Sequence, residues 1–322
     1  MDALSDLLDG ARADGALFSR CVFEPPWSLR IADRAPLALV FTLRGDAWLL
    51  PDGDDSPALI RPGDVAIIRG PAPYTVADDP STAPQMIVHP DGRCASLDGS
   101  DLADELRLGT RTYGDRPDGS TVVISGTYQL SGAVSARLLS ALPRLLVVPH
   151  EYARGAMMGL VAAEVTSDEP GQQLVLDRLL DLALIATLRA WFARPEAQAP
   201  AWYRAQSDPV VGPALRLMHV APADPWTVAT LAERVGVSRA SFARRFAALV
   251  GEPPMSYLTG WRITQAADLL RRSDATTESI ARQVGYADAF GFSAAFKRLR
   301  GVSPTQHRRD SAPISELGHA DP

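Results

Sequence analysis

The sequence predicts an α+β protein in two parts. A strand-rich first part, forming a small barrel or sandwich, runs into helices; the last third is all helix, built from two helix-turn-helix units. Three observations lead there. Short apolar and β-branched runs separated by turn signals fill roughly the first 130 residues. The final hundred residues or so repeat themselves at an offset of 49 to 50 positions. Charge is divided unevenly between the two parts.

The strands come first. "PLALVFTLRGDAWLL" (Pro36–Leu50) is an apolar run interrupted by a turn signal at Gly45-Asp46. "ALIRPGDVAII" (Ala58–Ile68) is a pair of short apolar segments around Pro62-Gly63-Asp64, a combination that favours a tight turn. "STVVISGTYQL" (Ser120–Leu130) is β-branched and reads as a strand.

Helical patterning follows. Ala133–Val148 begins as an amphipathic helix and meets Pro143. Gln173–Arg194 is stronger: Leu176, Leu179, Leu180, Ala183, Ile185, Ala186 and Trp191 form a broad apolar stripe, with Asp177, Arg178, Asp181 and Arg189 outside it. Such a stripe serves equally as ordinary core or as a face for a second copy of the chain. The Pro- and Ala-rich stretch Ala193–Pro209 separates the halves. The expected organisation is therefore a first domain over residues 1–195, a linker over 196–208, a helical domain over 209–310 and a tail over 311–322.

The repeat is specific. Ala232, Val235 and Gly236 recur as Ala281, Val284 and Gly285, and Phe242, Phe246, Gly251 and Pro254 recur as Phe292, Phe296, Gly301 and Pro304. In each unit a Thr (Thr227; Thr276 or Thr277) caps a short helix, a glycine ends it, and Ser238 or Asp288 caps a second helix whose two Phe at i,i+4 face inward. This is helix-turn-helix grammar. A helix over Asp208–Ala221 precedes the first unit, and a long one over Pro254–Ser273 joins the two.

The 322-residue chain carries a net charge of −6, yet Trp226–Arg309 holds 13 Lys and Arg against 6 Asp and Glu, a net +7, leaving −13 elsewhere. A basic domain on an acidic chain points to a polyanionic partner. Met1–Gly15 carries aspartates where a secretory leader needs basic residues, and no apolar run approaches the length of a membrane span, so a cytoplasmic protein is expected. Two cysteines, Cys21 and Cys94, make no disulfide framework.

Together, the doubled unit, the long joining helix and the closing "VGYADAFGFSAAFKRLRGVSPTQHRR" resemble the AraC/XylS family of transcription regulators, from about Pro209 to Arg309. More loosely, "LRGDAWLL", "LIRPGDVAIIRGPAPYTVADDP" and "VVISGTYQLSG" with the following "LLSALPRLL" resemble the cupin-type effector domain of some of these regulators. The resemblance implies a cupin-like β-barrel, a homodimer, a double-stranded DNA operator as partner, and RNA polymerase as a further partner if the protein activates. It also implies that the second helix of each unit enters the major groove.

Position by position, the family pattern places Ala240, Ala243 and Arg244 of the first unit on bases, with Arg239 and Arg245 on phosphates. Arg244 is the strongest candidate for specificity, because a guanidinium can bond guanine O6 and N7 together. The second unit offers Ala289, Phe290, Ser293 and Ala294, none able to bond a base edge through two atoms. Lys297, Arg298, Arg300, Arg308 and Arg309 fall where phosphates pass, contacts that anchor without specifying. The first unit is therefore expected to supply specificity and the second affinity.

For the first domain, a metal-dependent cupin enzyme fused to a DNA-binding module is the competing expectation. It needs converging histidines, and His89, His150, His219, His307 and His319 include no H-x-H pair. Where related regulators often carry His in "PAPYTV", this chain has Tyr74. No metal, cofactor or catalytic residue is expected. A small-molecule effector pocket is the better expectation, with Trp27, Trp48 and Tyr74 as candidate lining. Some cupin-bearing relatives sense oxidants through cysteine pairs; Cys21 and Cys94 are the candidates here, with Ser125 where those relatives carry the partner thiol.

Overall fold

A computed structural model describes residues 17–53, 55–128, 132–152, 155–194, 197 and 199–311. Met1–Gly15, expected not to be a secretory leader, and nearly all of the expected tail lie outside these residues. Backbone contacts divide the chain into two compact units, one over 11–131 and 138–198, the other running from Ala199 and taking in 132–137.

The first unit holds thirteen strands among the described residues: β1 (Leu17–Phe23), β2 (Ser28–Ile31), β3 (Leu37–Arg44), β4 (Ala47–Pro51), β5 (Ala58–Ile60), β6 (Val65–Arg69), β7 (Tyr74–Ala77), β8 (Met86–Val88), β9 (Cys94–Ser96), β10 (Arg107–Gly109), β11 (Thr112–Gly114), β12 (Thr121–Tyr128) and β13 (Leu145–Val148). They form a seven-stranded sheet in the order β10-β11-β1-β12-β3-β6-β13 and a six-stranded sheet in the order β5-β4-β7-β2-β8-β9. The barrel expected from resemblance thus takes the form of two sheets.

The turns at Gly45-Asp46 and Pro62-Gly63-Asp64 are where the sequence places them, but neither closes a hairpin. β3 and β4 belong to different sheets, as do β5 and β6. Each turn carries the chain across the sandwich. Asp64 fixes the second crossing by accepting from the Arg61 N–H at 3.0 Å and the His150 N–H at 2.9 Å.

The core between the sheets is built by alternation. Ala38, Val40, Ala66, Ile68 and Val123 from one sheet meet Leu29, Ala47, Leu49, Ile60 and Val76 from the other. β3 is buried on both faces from Leu37 to Thr42 because helices cover its far side.

Those helices are α2 (Gly155–Val165) and α3 (Gln172–Phe192); α1 (Ala133–Ser140) begins in the stretch 132–137 grouped with the helical unit. On α3, Leu176, Leu180, Ala183, Leu184 and Leu188 are buried. The Tyr128 hydroxyl donates to the Leu180 carbonyl at 2.7 Å. Gly126 permits this approach, since a Cβ there would sit 2.8 Å from Leu180 Cδ1. Asp177, expected outside the stripe, is buried and accepts from Gln173 Nε2 at 2.8 Å. Leu174, Val175 and Leu182 of α3, with Leu160 of α2, remain exposed.

The second unit is helical: α4 (Ala201–Arg204), α5 (Val211–Val220), α6 (Val228–Arg234), α7 (Arg239–Val250), α8 (Pro254–Arg272), α9 (Thr277–Gln283), α10 (Ala289–Arg300) and α11 (Pro304–Ser311). Part of the expected linker is structured, as Trp202 of α4 and the following Ala205 are buried. Every expected cap forms. Thr227, Ser238, Thr276 and Asp288 each accept from the N–H three residues on. Gly236 and Gly285 turn the chain at φ 72° and 86°, conformations that strain any side chain. The long α8 buries Tyr257, Leu258, Trp261, Ile263, Ala266, Ala267 and Leu270. His219 of α5 lies 2.8 Å from the Tyr257 hydroxyl and rests its ring 4.4 Å from that of Trp261.

Candidate nucleic-acid interface and interior cavity

The second helices of the repeat, α7 and α10, are each twelve residues long. Phe242 and Phe246 pack with ring centres 5.7 Å apart, Phe292 and Phe296 at 5.6 Å, and all four are fully buried. Because these pairs occupy one stripe, the opposite stripe is turned outward. On α7 it presents Arg239, Ala240 and Arg244 as exposed residues and Ala243 as a half-buried one. On α10, Ala294 is exposed, Ala289 and Ser293 are half-buried, and Phe290 is 87% exposed. An exposed phenylalanine beside alanines makes an apolar outer face, suited to thymine methyls rather than to base-edge hydrogen bonds.

The cations are not equivalent. Arg239, Lys297, Arg298 and Arg309 are exposed. Arg300 is half-buried, and burial lowers the pKa of its guanidinium. Arg245 is held by Asp208, at 3.0 Å from Nε and 2.7 Å from Nη2. Arg308 donates through Nε to the Leu270 carbonyl at 3.2 Å and through Nη2 to the Ala275 carbonyl, closing the C-terminal end of α8. These last two side chains tie the helical unit together. Sequence pattern alone could not reveal it, since their partners lie 37 and 33 to 38 residues away.

The first unit encloses a cavity of about 250 Å³. Trp27 and Tyr74 line it, as expected, and Trp27 stacks on Phe23 with ring centres 5.4 Å apart. Trp48 does not line this cavity: Ala47 and Leu49 of β4 turn into the core, and strand alternation sends Trp48 to the other face. Cys21, Cys94 and Ser125 all border the cavity, although 73 positions separate the two cysteines. The Ser125 hydroxyl is 2.8 Å from that of Ser19.

Burial pushes the Cys21 thiol up to about 12; a hydrogen bond from Ser19 opposes this and Cys94 adds to it. Burial also raises Cys94, with Asp101 contributing. Tyr74 is raised by burial, then by Asp33 and Cys21. Asp33, which sequence reasoning missed, is the carboxylate on this wall. Only the fold reveals it, because Asp33 sits in an unremarkable polar tetrapeptide. Among the described residues, no three His, Cys, Asp or Glu side chains are grouped as metal ligands, and no helix is long and apolar enough to cross a membrane.

A two-sheet domain followed by paired, outward-facing second helices defines a class: DNA-binding regulators with a cupin-type N-terminal domain. Residues 2–193 match the cupin family model and residues 231–310 a helix-turn-helix domain model. The chain is 33% identical to an AraC-like transcription regulator of Streptomyces lividans, over 96% of this chain and 98% of that protein. It is 32% identical to another from Streptomyces antibioticus, over 97% and 100%. The crystallised DNA-binding domain of AdpA, in complex with a target DNA, is 32% identical over 32% of this chain and 93% of that domain, with a TM-score of 0.31. The chain belongs to the AraC family of transcription regulators.

Proposed function

We propose that this DNA-binding regulator is a cytoplasmic homodimer that reads its operator mainly through α7 and is controlled by a small molecule held in the first unit. The observation that carries the reading is the cavity, an interior apolar space bordered by Trp27 and Tyr74. Such spaces in two-sheet domains suit small ligands. The exposed Leu160, Leu174, Val175 and Leu182 support pairing of two chains through α2 and α3, since an apolar patch of this kind favours a protein partner. Operator contact belongs to Ala240, Ala243 and Arg244 of α7, with Ala289, Phe290, Ser293 and Ala294 of α10 in apolar contact. Arg239, Lys297, Arg298 and Arg309 anchor phosphates, with Arg300 at the margin. If the protein activates, RNA polymerase is the further partner. The same reading gives the chain no enzymatic activity, in keeping with relatives that are transcription regulators.

Two measurements test it. Fragments bound from genomic DNA give the operator; Arg244→Ala is then titrated against matched and scrambled sites. Loss of about 1–3 kcal/mol at the matched site alone is expected, and equal weakening at both sites refutes the specificity assignment. For the cavity, compounds that raise the melting temperature of the wild type must fail to raise that of Ser125→Phe, which fills the space. Undiminished shifts would place the ligand elsewhere.

A second reading rests on Cys21 and Cys94 bordering one cavity, where an oxidant could join them. Burial holds both thiols protonated, and the thiol form is the slow one to oxidise. Counting free thiols and measuring operator binding after mild oxidant, with Cys21→Ser as control, decides it. An unchanged count and unchanged binding end the redox reading.

A further inference from the structure

The cavity has one chemical asymmetry. Its walls are mainly apolar and aromatic, with Phe23, Trp27, Tyr74 and Tyr113 among them. Of the described residues that line it, Asp33 is the sole carboxylate, none is Lys or Arg, and His89 is the one imidazole. One Asp33 oxygen, Oδ1, accepts from the Ala35 N–H at 3.0 Å, and the Asp33 backbone N–H also favours the carboxylate; no cationic side chain is bonded to it among the described residues. The nearby Arg30 is spent elsewhere, since both of its terminal nitrogens bond the Asp52 carboxylate, at 3.0 and 2.5 Å. Strand alternation turns Arg30 away from the wall that Leu29 and Ile31 share.

We propose that the ligand of this cavity is a small apolar monocation, an amine whose ammonium pairs with Asp33 while its body lies among the aromatic side chains. The inference rests on the cavity being the effector site. Placing a carboxylate in an apolar wall is unfavourable unless a positive group meets it. Burial accordingly raises the Asp33 carboxyl above the usual carboxylate range, with the backbone N–H groups of Ala35 and Asp33 opposing. Asp33 also adds to the upward shift of Tyr74, so the two groups share one region of the wall.

The alternatives fit less well. A divalent metal ion wants six or more oxygen ligands, and one carboxylate among aromatic rings does not supply them. An anion is repelled by Asp33. A neutral alcohol leaves its charge unmatched. Aromatic faces, by contrast, attract an ammonium as well as an apolar body. Size is limited too. An engineered cavity of about 150 Å³ admits benzene, so this one holds roughly ten non-hydrogen atoms, an arylalkylamine rather than a polyamine or a sugar.

The test is calorimetric titration of the full chain, at about pH 7.5, where an alkylamine is cationic. Three compounds share one shape and differ in charge: phenethylamine, phenethyl alcohol and phenylacetate. The amine is expected to bind at least about tenfold more tightly than the alcohol, a difference of about 1.4 kcal/mol, with phenylacetate weakest. Asp33→Asn keeps an acceptor for the Ala35 N–H and should bring the amine down to the level of the alcohol. Alcohol binding equal to amine binding, or an amine preference that survives Asp33→Asn, overturns the charge assignment and leaves the effector cavity standing. Failure of all three compounds, at the wild type and Asp33→Asn alike, overturns both.

Discussion

Arg245 grips one carboxylate oxygen of Asp208 with two nitrogens, at 3.0 and 2.7 Å, while the other oxygen of Asp208 accepts the Val210 and Val211 N–H groups at 2.9 and 2.8 Å. One aspartate thereby starts α5 and moors α7. An arginine whose position on the second helix suggests DNA contact thus also forms an ion pair within the helical unit, with its side chain 45% exposed.

The contrast with Arg239 is measurable. Arg239→Ala should lower the slope of log affinity against log salt by about one ion, as loss of a phosphate contact does. Arg245→Ala should leave that slope unchanged and lower stability by about 0.5–1 kcal/mol, since the pair is partly exposed. Equal slopes for the two variants would return Arg245 to the phosphates.

The phenylalanine pairs hold the reading helices in place. Phe242→Ala and Phe292→Ala each remove a fully buried ring, and each should cost about 3–5 kcal/mol in urea unfolding. Phe290→Ala removes a ring that is 87% exposed. It should leave stability within about 0.5 kcal/mol and weaken operator binding where a thymine is contacted. A Phe290→Ala variant as unstable as Phe292→Ala would mean the ring is packed.

The proposed self-association uses the exposed apolar side chains of α2 and α3. Leu160 is 60% exposed and Leu182 52%, so Leu160→Glu and Leu182→Glu should fold normally. Sedimentation should report a dimer for the wild type, as proposed, and a monomer for the variant carrying both substitutions. Dimers that persist in the double variant would move the interface elsewhere.

Alkaline pH probes the cavity wall. A cysteine in an unfolded chain ionises near 8.5, and Cys21 in the folded protein is raised to about 12. The folded state therefore favours the protonated thiol. That contribution is whole below about pH 8.5 and is lost as pH rises toward the folded value. Stability should fall across this window, and Cys21→Ser should flatten the fall, with Tyr74→Phe flattening it further at the upper end because Tyr74 is raised as well. A profile unaltered by both substitutions would mean that neither group is buried as described.

The repeat was legible because each unit depends on local rules. Thr227, Ser238, Thr276 and Asp288 bond within three residues, and the Phe pairs recur one turn apart, so periodicity and capping expose them. The two-sheet domain was legible as strands and turns, but not as sheets. Nothing in "LRGDAWLL" tells whether the chain returns along its own sheet or crosses to the other. The site divided in the same way. Outward positions on α7 and α10 follow from the inward Phe pairs, whereas the Arg245–Asp208 and Arg308–Leu270 ties depend on long-range packing. The absence of Trp48 from the cavity wall escapes the sequence for a similar reason: aromatic identity does not tell which face of a strand a ring occupies.

The two units keep one interior and vary what they show. Offset by 50 positions, Ala240, Ala243 and Arg244 correspond to Phe290, Ser293 and Ala294, while Phe242 and Phe246 correspond to Phe292 and Phe296. Under the proposed reading, recognition is thus largely decoupled from folding. A lineage would rewrite half an operator by changing three codons outside the buried Phe pairs, and each half would drift toward a new promoter while the other keeps hold of the old one.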